Sequence, residues 1–141
     1  WAQSTPNPEA DEEFRTKAAE LDIYTYVHAS FLINLGSPTE NTYVNSLAST
    51  TYSLKRGAEV GARGVVIHTG SAVETTHVER AWRQIHEGMM PILEALSDDA
   101  PFLLLETAGM LGWWRLQHAG RWQRSRKEER SLETPALCAG F

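Results

Sequence analysis

The chain has 141 residues, 42% of them hydrophobic and 22% charged, which is the composition of a globular domain with its own core. The net charge of −5 disfavours general attraction to nucleic acid or acidic membranes. No apolar run approaches the roughly 20 residues that a membrane-spanning helix requires, and the single cysteine, Cys138, excludes an intramolecular disulfide. We therefore expect a cytoplasmic protein that does not associate with membranes.

Hydrophobic periodicity predicts alternating helices and strands over most of the chain. In the first helix, Phe14, Ala18 and Leu21 lie at helical spacing and are expected to form a buried stripe. Pro91 is expected to kink or split the third helix because it lacks an amide hydrogen. In chain order the predicted elements are helix 8–21, strand 23–28, helix 40–60, strand 64–68, helix 77–96 and strand 102–106.

Each predicted strand ends in a side chain that can bind a metal ion. These residues are His28, His68 and Glu106, at intervals of 40 and 38 residues. One strand and one helix per interval predict parallel strands with right-handed crossovers, in either a barrel or an open sheet. The carboxyl ends of parallel strands meet at one edge, so the three side chains form a candidate metal site, although a single histidine at a strand end is more commonly a loop or core residue. His77 and His86 are expected to be solvated.

The pattern changes after Gly109. Residues 1–109 hold 7 Lys or Arg against 15 Asp or Glu, whereas residues 110–141 hold 6 against 3. Three of the five tryptophans lie in segment 113–122, among arginines, as in proteins that bind single-stranded nucleic acid. A disordered or non-native extension is the simpler interpretation of this tail. We therefore divide the chain into a β/α domain, 1–109, and a basic, Trp-rich tail, 110–141.

Three segments of the β/α domain resemble the endonuclease IV family of AP endonucleases. Residues 28–36 are similar to the family's His-x-x-Tyr-Leu-Ile-Asn segment. Residues 66–71 are similar to its His-Pro-Gly-Ser, with Thr69 in place of proline, and residues 104–109 to its Glu-x-Thr-Ala-Gly, one residue shorter. The resemblance implies an α/β fold made of the parallel β/α units of a TIM (β/α)8 barrel, with only about three strands present.

The resemblance also implies a function and a set of site residues. The family hydrolyses the DNA backbone on the 5′ side of abasic sites with a zinc cluster. By resemblance, His28 and His68 would each bind a zinc ion, and Glu106 would bridge two zinc ions as a catalytic residue. The implied partner is duplex DNA with abasic sites, and the implied DNA-binding residues are Phe31, Leu32 and Asn34. By resemblance, Phe31 and Leu32 would enter the minor groove as an apolar wedge.

Much of the family pattern is not found in the sequence. The first strand and strands five to eight, which carry the remaining zinc ligands, have no counterpart in it. We therefore expect a truncated chain that folds poorly or self-associates, although the family is usually monomeric, and that does not cleave abasic DNA. Two alternatives are a fragment of a sugar isomerase or epimerase barrel, which would favour Mg or Mn, and a non-enzymatic fragment that binds nucleic acid through residues 113–130.

Overall fold

Parallel strands and helices alternate in the computed structural model of the chain, which describes residues 3–106. The three strands form one sheet in the order β1–β2–β3, and both strand pairs are parallel, as predicted. In chain order the elements are α1 (Pro8–Glu20), β1 (Tyr26–His28), α2 (Glu40–Glu59), β2 (Gly64–His68), a short 3-10 helix (Thr75–His77), α3 (Val78–Glu94) and β3 (Phe102–Glu106). The predicted domain boundary at 109 and the predicted tail lie outside these residues.

The core lies between one face of the sheet and the helices. Val65 and Ile67 of the central strand are completely buried. Burying an aliphatic side chain of this size contributes roughly 1.5–3 kcal/mol, so the central strand is a major source of stability. The buried apolar cluster further contains Ala29, Ile33, Leu35, Leu54, Met89 and Leu103.

Helix α2 approaches the sheet closely because its buried face consists mostly of small and hydroxyl-bearing residues. Ser46 and Thr50 are completely buried. Their hydroxyl groups donate to the carbonyl oxygens one turn earlier, Thr42 at 2.7 Å and Ser46 at 2.9 Å, so burial leaves no donor unpaired. At Gly57, a Cβ atom would lie 2.6 Å from Cγ2 of Val65, so only glycine allows this approach.

The opposite face of the sheet is largely uncovered within residues 3–106. Side chains alternate between the two faces of a strand, so Leu103 points into the core while Phe102 and Leu104 point away from it. Phe102 is 51% exposed and Leu104 is 37% exposed. Glu106 continues this face because it alternates with the residues that point into the core, as Phe102 and Leu104 do, and its register partner at the end of β2 is His68.

Helix α1 is less buried than its sequence predicts. Phe14 and Leu21, two members of the predicted stripe, are exposed, and α1 has no buried residue. This prediction was wrong because periodicity identifies an apolar face without identifying the element that covers it. The helix is attached to α2 instead by an ion pair, in which the Arg56 guanidinium donates to both carboxylate oxygens of Asp11 at 2.8 Å.

Two other expectations differ in detail. Strand β1 starts at Tyr26 rather than residue 23, because the chain turns at Asp22 with φ 52° and pairing with β2 begins only at Tyr26.

Helix α3 continues through Pro91 without being split. This proline is exposed and lies in the last turn, where its lack of an amide hydrogen removes a single hydrogen bond near the helix end. No helix in residues 3–106 is both long and apolar enough to span a bilayer.

Candidate metal centre

The ends of the three strands bring His28, His68 and Glu106 together. One potential ligand atom from each residue lies within 4.8 Å of the other two. Nε2 of His28 is 3.1 Å from Oε2 of Glu106, and Nε2 of His68 is 3.8 Å from the same oxygen. The two imidazole centroids are 5.0 Å apart. The parallel register thus assembles two nitrogen ligands and one oxygen ligand at one edge of the sheet.

The ring of His28 is oriented by a backbone hydrogen bond. Its Nδ1 is 2.9 Å from the carbonyl oxygen of Ala29, and because a carbonyl only accepts, Nδ1 must carry the hydrogen. Metal-binding histidines commonly donate their second ring nitrogen to a carbonyl in this way. The Ala29 carbonyl, and then the Glu106 carboxylate, raise the pKa of His28 because both favour the charged ring.

His68 is less exposed than His28, and its ring has a different environment. Its Nδ1 is buried and has no hydrogen-bond partner within residues 3–106. The orientation of this imidazole therefore depends on its backbone and on packing. Phe31 contributes to that packing, since its ring meets His68 edge-on with centroids 5.3 Å apart and an interplanar angle of 77°.

An exposed apolar tip lies beside the three candidate ligands. Phe31 is 81% exposed and Leu32 is 58% exposed, whereas Ile33 and Leu35, which follow them, are almost completely buried. Burial of these two neighbours fixes the loop after β1 against the core. The two predicted wedge residues are consequently presented to solvent from a firmly packed loop.

Asn34, the third residue predicted to contact DNA, is half-buried in the same loop. Its Oδ1 accepts hydrogen bonds from the backbone amides of Gly36 at 3.2 Å and Ser71 at 2.9 Å. The second bond joins the loop after β1 to the loop after β2. Sequence reasoning did not find this contact, although the preference of asparagine for bonding nearby backbone amides is a relevant signal.

The remaining histidines of the described region lie outside this cluster. His86 is exposed, as predicted. The prediction that His77 is solvated was wrong, because this last residue of the short 3-10 helix before α3 is only 8% exposed. Its Nε2 has no hydrogen-bond partner among residues 3–106. The spacing of nine residues between His77 and His86 carries no information about how deeply either side chain is buried.

Comparison with known proteins identifies the family. A family model described as xylose isomerase-like TIM barrel matches residues 2–132. The chain belongs to this family. Together with the three parallel strands, the match confirms the predicted fold class, an α/β fold with part of a TIM barrel.

Proteins named endonuclease 4 or endonuclease IV are similar to the chain. The probable endonuclease 4 of Streptomyces avermitilis is 50% identical over 111 residues, covering 77% of this chain and 36% of that protein. The probable endonuclease 4 of Streptomyces coelicolor is 48% identical, with coverages of 77% and 38%. The crystal structure of endonuclease IV from Thermus thermophilus has a TM-score of 0.55 and 28% identity, covering 74% of this chain and 36% of that chain. The chain spans little more than a third of these proteins.

Proposed function

We propose that the chain is part of a zinc-dependent DNA-repair nuclease that hydrolyses the phosphodiester on the 5′ side of abasic sites. The observation that carries this proposal is the cluster of His28, His68 and Glu106, whose ligand atoms lie within 4.8 Å of one another at the ends of three adjacent strands. The names of the similar proteins support the nuclease class. A cytoplasmic location is part of the same proposal.

The donor set fits zinc. Imidazole nitrogen and carboxylate oxygen are usual zinc ligands, and His28 already has its Nδ1 hydrogen directed to a carbonyl, which leaves Nε2 for the metal. A bound zinc ion would lower the pKa of a water molecule and neutralise charge on the phosphate. Oε2 of Glu106 lies within 4 Å of Nε2 of both imidazoles, so the carboxylate is positioned to bind zinc together with the two histidines.

The exposed tip supplies the proposed contact with duplex DNA. An abasic site lacks one base from the stack, and an apolar side chain that enters the minor groove there replaces part of the lost stacking. Phe31 and Leu32 are exposed beside the ligand cluster, so DNA held by the tip would have its backbone close to the metal site. Oδ1 of Asn34 is already bonded to two amides, which leaves its amide nitrogen as the side-chain donor for a DNA contact.

The exposed tip also favours a nuclease over the sugar isomerase alternative. A small sugar is held in a concave site, and a projecting Phe–Leu pair offers no such enclosure. The alternative in which residues 113–130 bind nucleic acid lies outside the described residues.

Zinc affinity tests the metal site directly. Titration of the full chain against a chromophoric zinc chelator should show tight binding that weakens by about 10-fold or more in the His28→Ala, His68→Ala and Glu106→Ala variants, since each removes a ligand. His86→Ala is the matched control because His86 is exposed outside the cluster. Equal affinity in wild type and in all three ligand variants would overturn the proposed site.

An incision assay tests the activity of the chain itself. The described residues supply three ligand atoms for what we propose is a larger zinc cluster. The 141-residue chain is therefore expected to leave an abasic duplex uncleaved when zinc is added. EDTA-sensitive incision at the abasic site that Glu106→Gln abolishes would show instead that this chain is an active nuclease.

A further inference from the structure

One side-chain hydrogen bond and one backbone hydrogen bond join the loops after β1 and β2. Oδ1 of Asn34 accepts from the Ser71 amide at 2.9 Å, and beside it the Leu35 amide donates to the Thr69 carbonyl at 3.1 Å. Thr69 directly follows the candidate ligand His68. These two bonds therefore connect the loop that carries the Phe31–Leu32 tip to the backbone that orients His68.

The contact is close enough to restrict the residue at position 70. Gly70 has φ 79°, a left-handed conformation that disfavours other residues. A Cβ atom there would overlap Oδ1 of Asn34 and would lie 2.5 Å from the Cα of the same residue. The second loop thus packs directly on Asn34, and only a glycine permits this arrangement.

Asn34 is itself fixed by a bond to helix α2. Its backbone amide donates to Oγ of Ser46 on α2 at 2.9 Å. Gln84 on α3 holds the same loop, with its Nε2 donating to the carbonyls of Leu35 and Ser37, both at 2.9 Å. Because both helices belong to the core, the position of Asn34 is set by the body of the domain.

We propose that Asn34 is a positioning residue, whose amide oxygen aligns His68 with the other metal ligands and with the exposed Phe31–Leu32 tip. His68 needs such support because its Nδ1 has no partner within residues 3–106 that would hold the ring. Its orientation depends on the backbone of the loop after β2, where the Leu35 amide bonds Thr69 and where Gly70 lies against Asn34. The inference rests on the proposed function, because alignment matters only if His68 binds a metal ion.

Two substitutions at Asn34 distinguish the role of its side-chain oxygen from that of its side-chain nitrogen. Asn34→Ala removes the acceptor, and the zinc Kd of the full chain is expected to rise about 10-fold or more, as is typical when a residue that orients a ligand is lost. Asn34→Asp keeps an oxygen for both amides, and its charge attracts the cation, so zinc affinity should equal or exceed that of wild type. Asn45→Ala is the matched control, since within the described residues that side-chain amide bonds Asn41 of the same helix and neither loop.

Amide hydrogen exchange supplies a second measurement that requires no metal. Protection of the Ser71 and Gly36 amides is expected to fall in Asn34→Ala and to persist in Asn34→Asp. Gly70→Ala should reproduce the loss at Ser71, because its Cβ displaces the same contact. If wild type binds no zinc, the proposed function fails, and these exchange rates still determine whether Asn34 holds the second loop.

Several results would overturn the proposal. Wild-type zinc affinity in Asn34→Ala would show that His68 is aligned without Asn34. Weak zinc binding by Asn34→Asp with protected Ser71 would show that the amide nitrogen is the functional group. If Asn34→Ala does not fold, Asn34→Ser replaces it, since serine is too short to reach Ser71, and tight zinc binding by that variant would also exclude the proposal.

Discussion

His28 is held between two acceptors, the Ala29 carbonyl at Nδ1 and the Glu106 carboxylate at Nε2. Both raise its pKa, so in the metal-free chain the charged ring stabilises the fold below the pKa of the unfolded state, and this contribution is lost as pH rises through the folded pKa. Glu106→Gln removes the carboxylate charge and should lower the pKa of His28, with the Ala29 carbonyl retaining part of the shift. NMR titration of the His28 ring measures this, and an unchanged midpoint would contradict it.

His28 also makes zinc binding depend on pH, in the direction opposite to its contribution to the stability of the fold. Zinc requires the neutral imidazole, so zinc affinity should fall as pH decreases through the raised pKa of His28. The carboxylate of Glu106, the proposed third ligand, would therefore also strengthen the competition between protons and zinc at His28.

Phe31 should contribute to DNA binding and little to stability. Its side chain is 81% exposed, so Phe31→Ala is expected to change the free energy of unfolding by less than about 0.5 kcal/mol. Affinity for a duplex with an abasic site should fall by about 1–3 kcal/mol, the range for a lost aromatic stacking contact. Fluorescence anisotropy with labelled duplexes measures this, and Val44→Ala, an exposed apolar change on α2, is the control. An equal loss of affinity for intact duplex would argue against a wedge at the lesion.

The sequence predicts the candidate ligands better than it predicts their supporting contacts. His28, His68 and Glu106 were identifiable because each ends a short apolar run, and parallel pairing then places strand ends together. The bond from Asn34 to Ser71 joins two loops separated by 37 residues, and its existence depends on the paths of both. Such contacts have no local pattern, so they become visible only in the folded chain.

Among the elements, α1 depends on an ion pair more than on apolar packing. It has no buried residue, and the Asp11 and Arg56 side chains that join it to α2 are only 15% and 18% exposed. The hydrogen bonds from Arg56 lower the pKa of Asp11, so the stabilising contribution of this carboxylate is present above its unfolded pKa and is lost as pH falls through the folded pKa. Attachment of α1 should consequently weaken at acidic pH.

Asp11→Asn should release α1 while leaving the sheet intact. The substitution removes the charge that holds Arg56, so amide exchange in α1 should accelerate at neutral pH, with β2 and β3 unaffected. Glu13→Gln is the control because it removes an exposed acidic charge from the same helix. Equal exchange rates in α1 of Asp11→Asn and wild type would show that other contacts hold the helix.

Helix boundaries and helix environment differ in how well they follow from sequence. The start of α1 was predictable from Asn7, whose side chain accepts from the Ala10 amide, and from the proline that follows it. The exposure of Phe14 was not predictable, because it depends on which element packs over the helix. For α3, Pro91 lies in the last turn and the residues that follow it, Ile92 and Leu93, pack against the core, so the helix continues through a local helix breaker.

At the scale of the whole molecule, the part of the chain that the structure describes contains a sheet with one covered face and one largely uncovered face. Phe102 and Leu104 are exposed on the second face, and within residues 3–106 each outer strand pairs with β2 alone. Exposed apolar surface and unpaired strand edges both promote association between chains. Self-association was expected from the sequence for the same reason, because three strands cannot close a barrel of eight.

We therefore expect the isolated chain to self-associate in a concentration-dependent manner, with Phe102 contributing. Phe102→Glu places a charge on the uncovered face and should raise the dissociation constant of the associated form by about 10-fold or more, which corresponds to burial of a large apolar side chain. Sedimentation velocity over a concentration series measures this, with circular dichroism confirming that the variant is folded. Val44→Glu is the matched control, since Val44 is similarly exposed but lies on α2. If both variants weaken association equally, net charge is the cause; if neither does, the chains associate through a surface other than this face of the sheet.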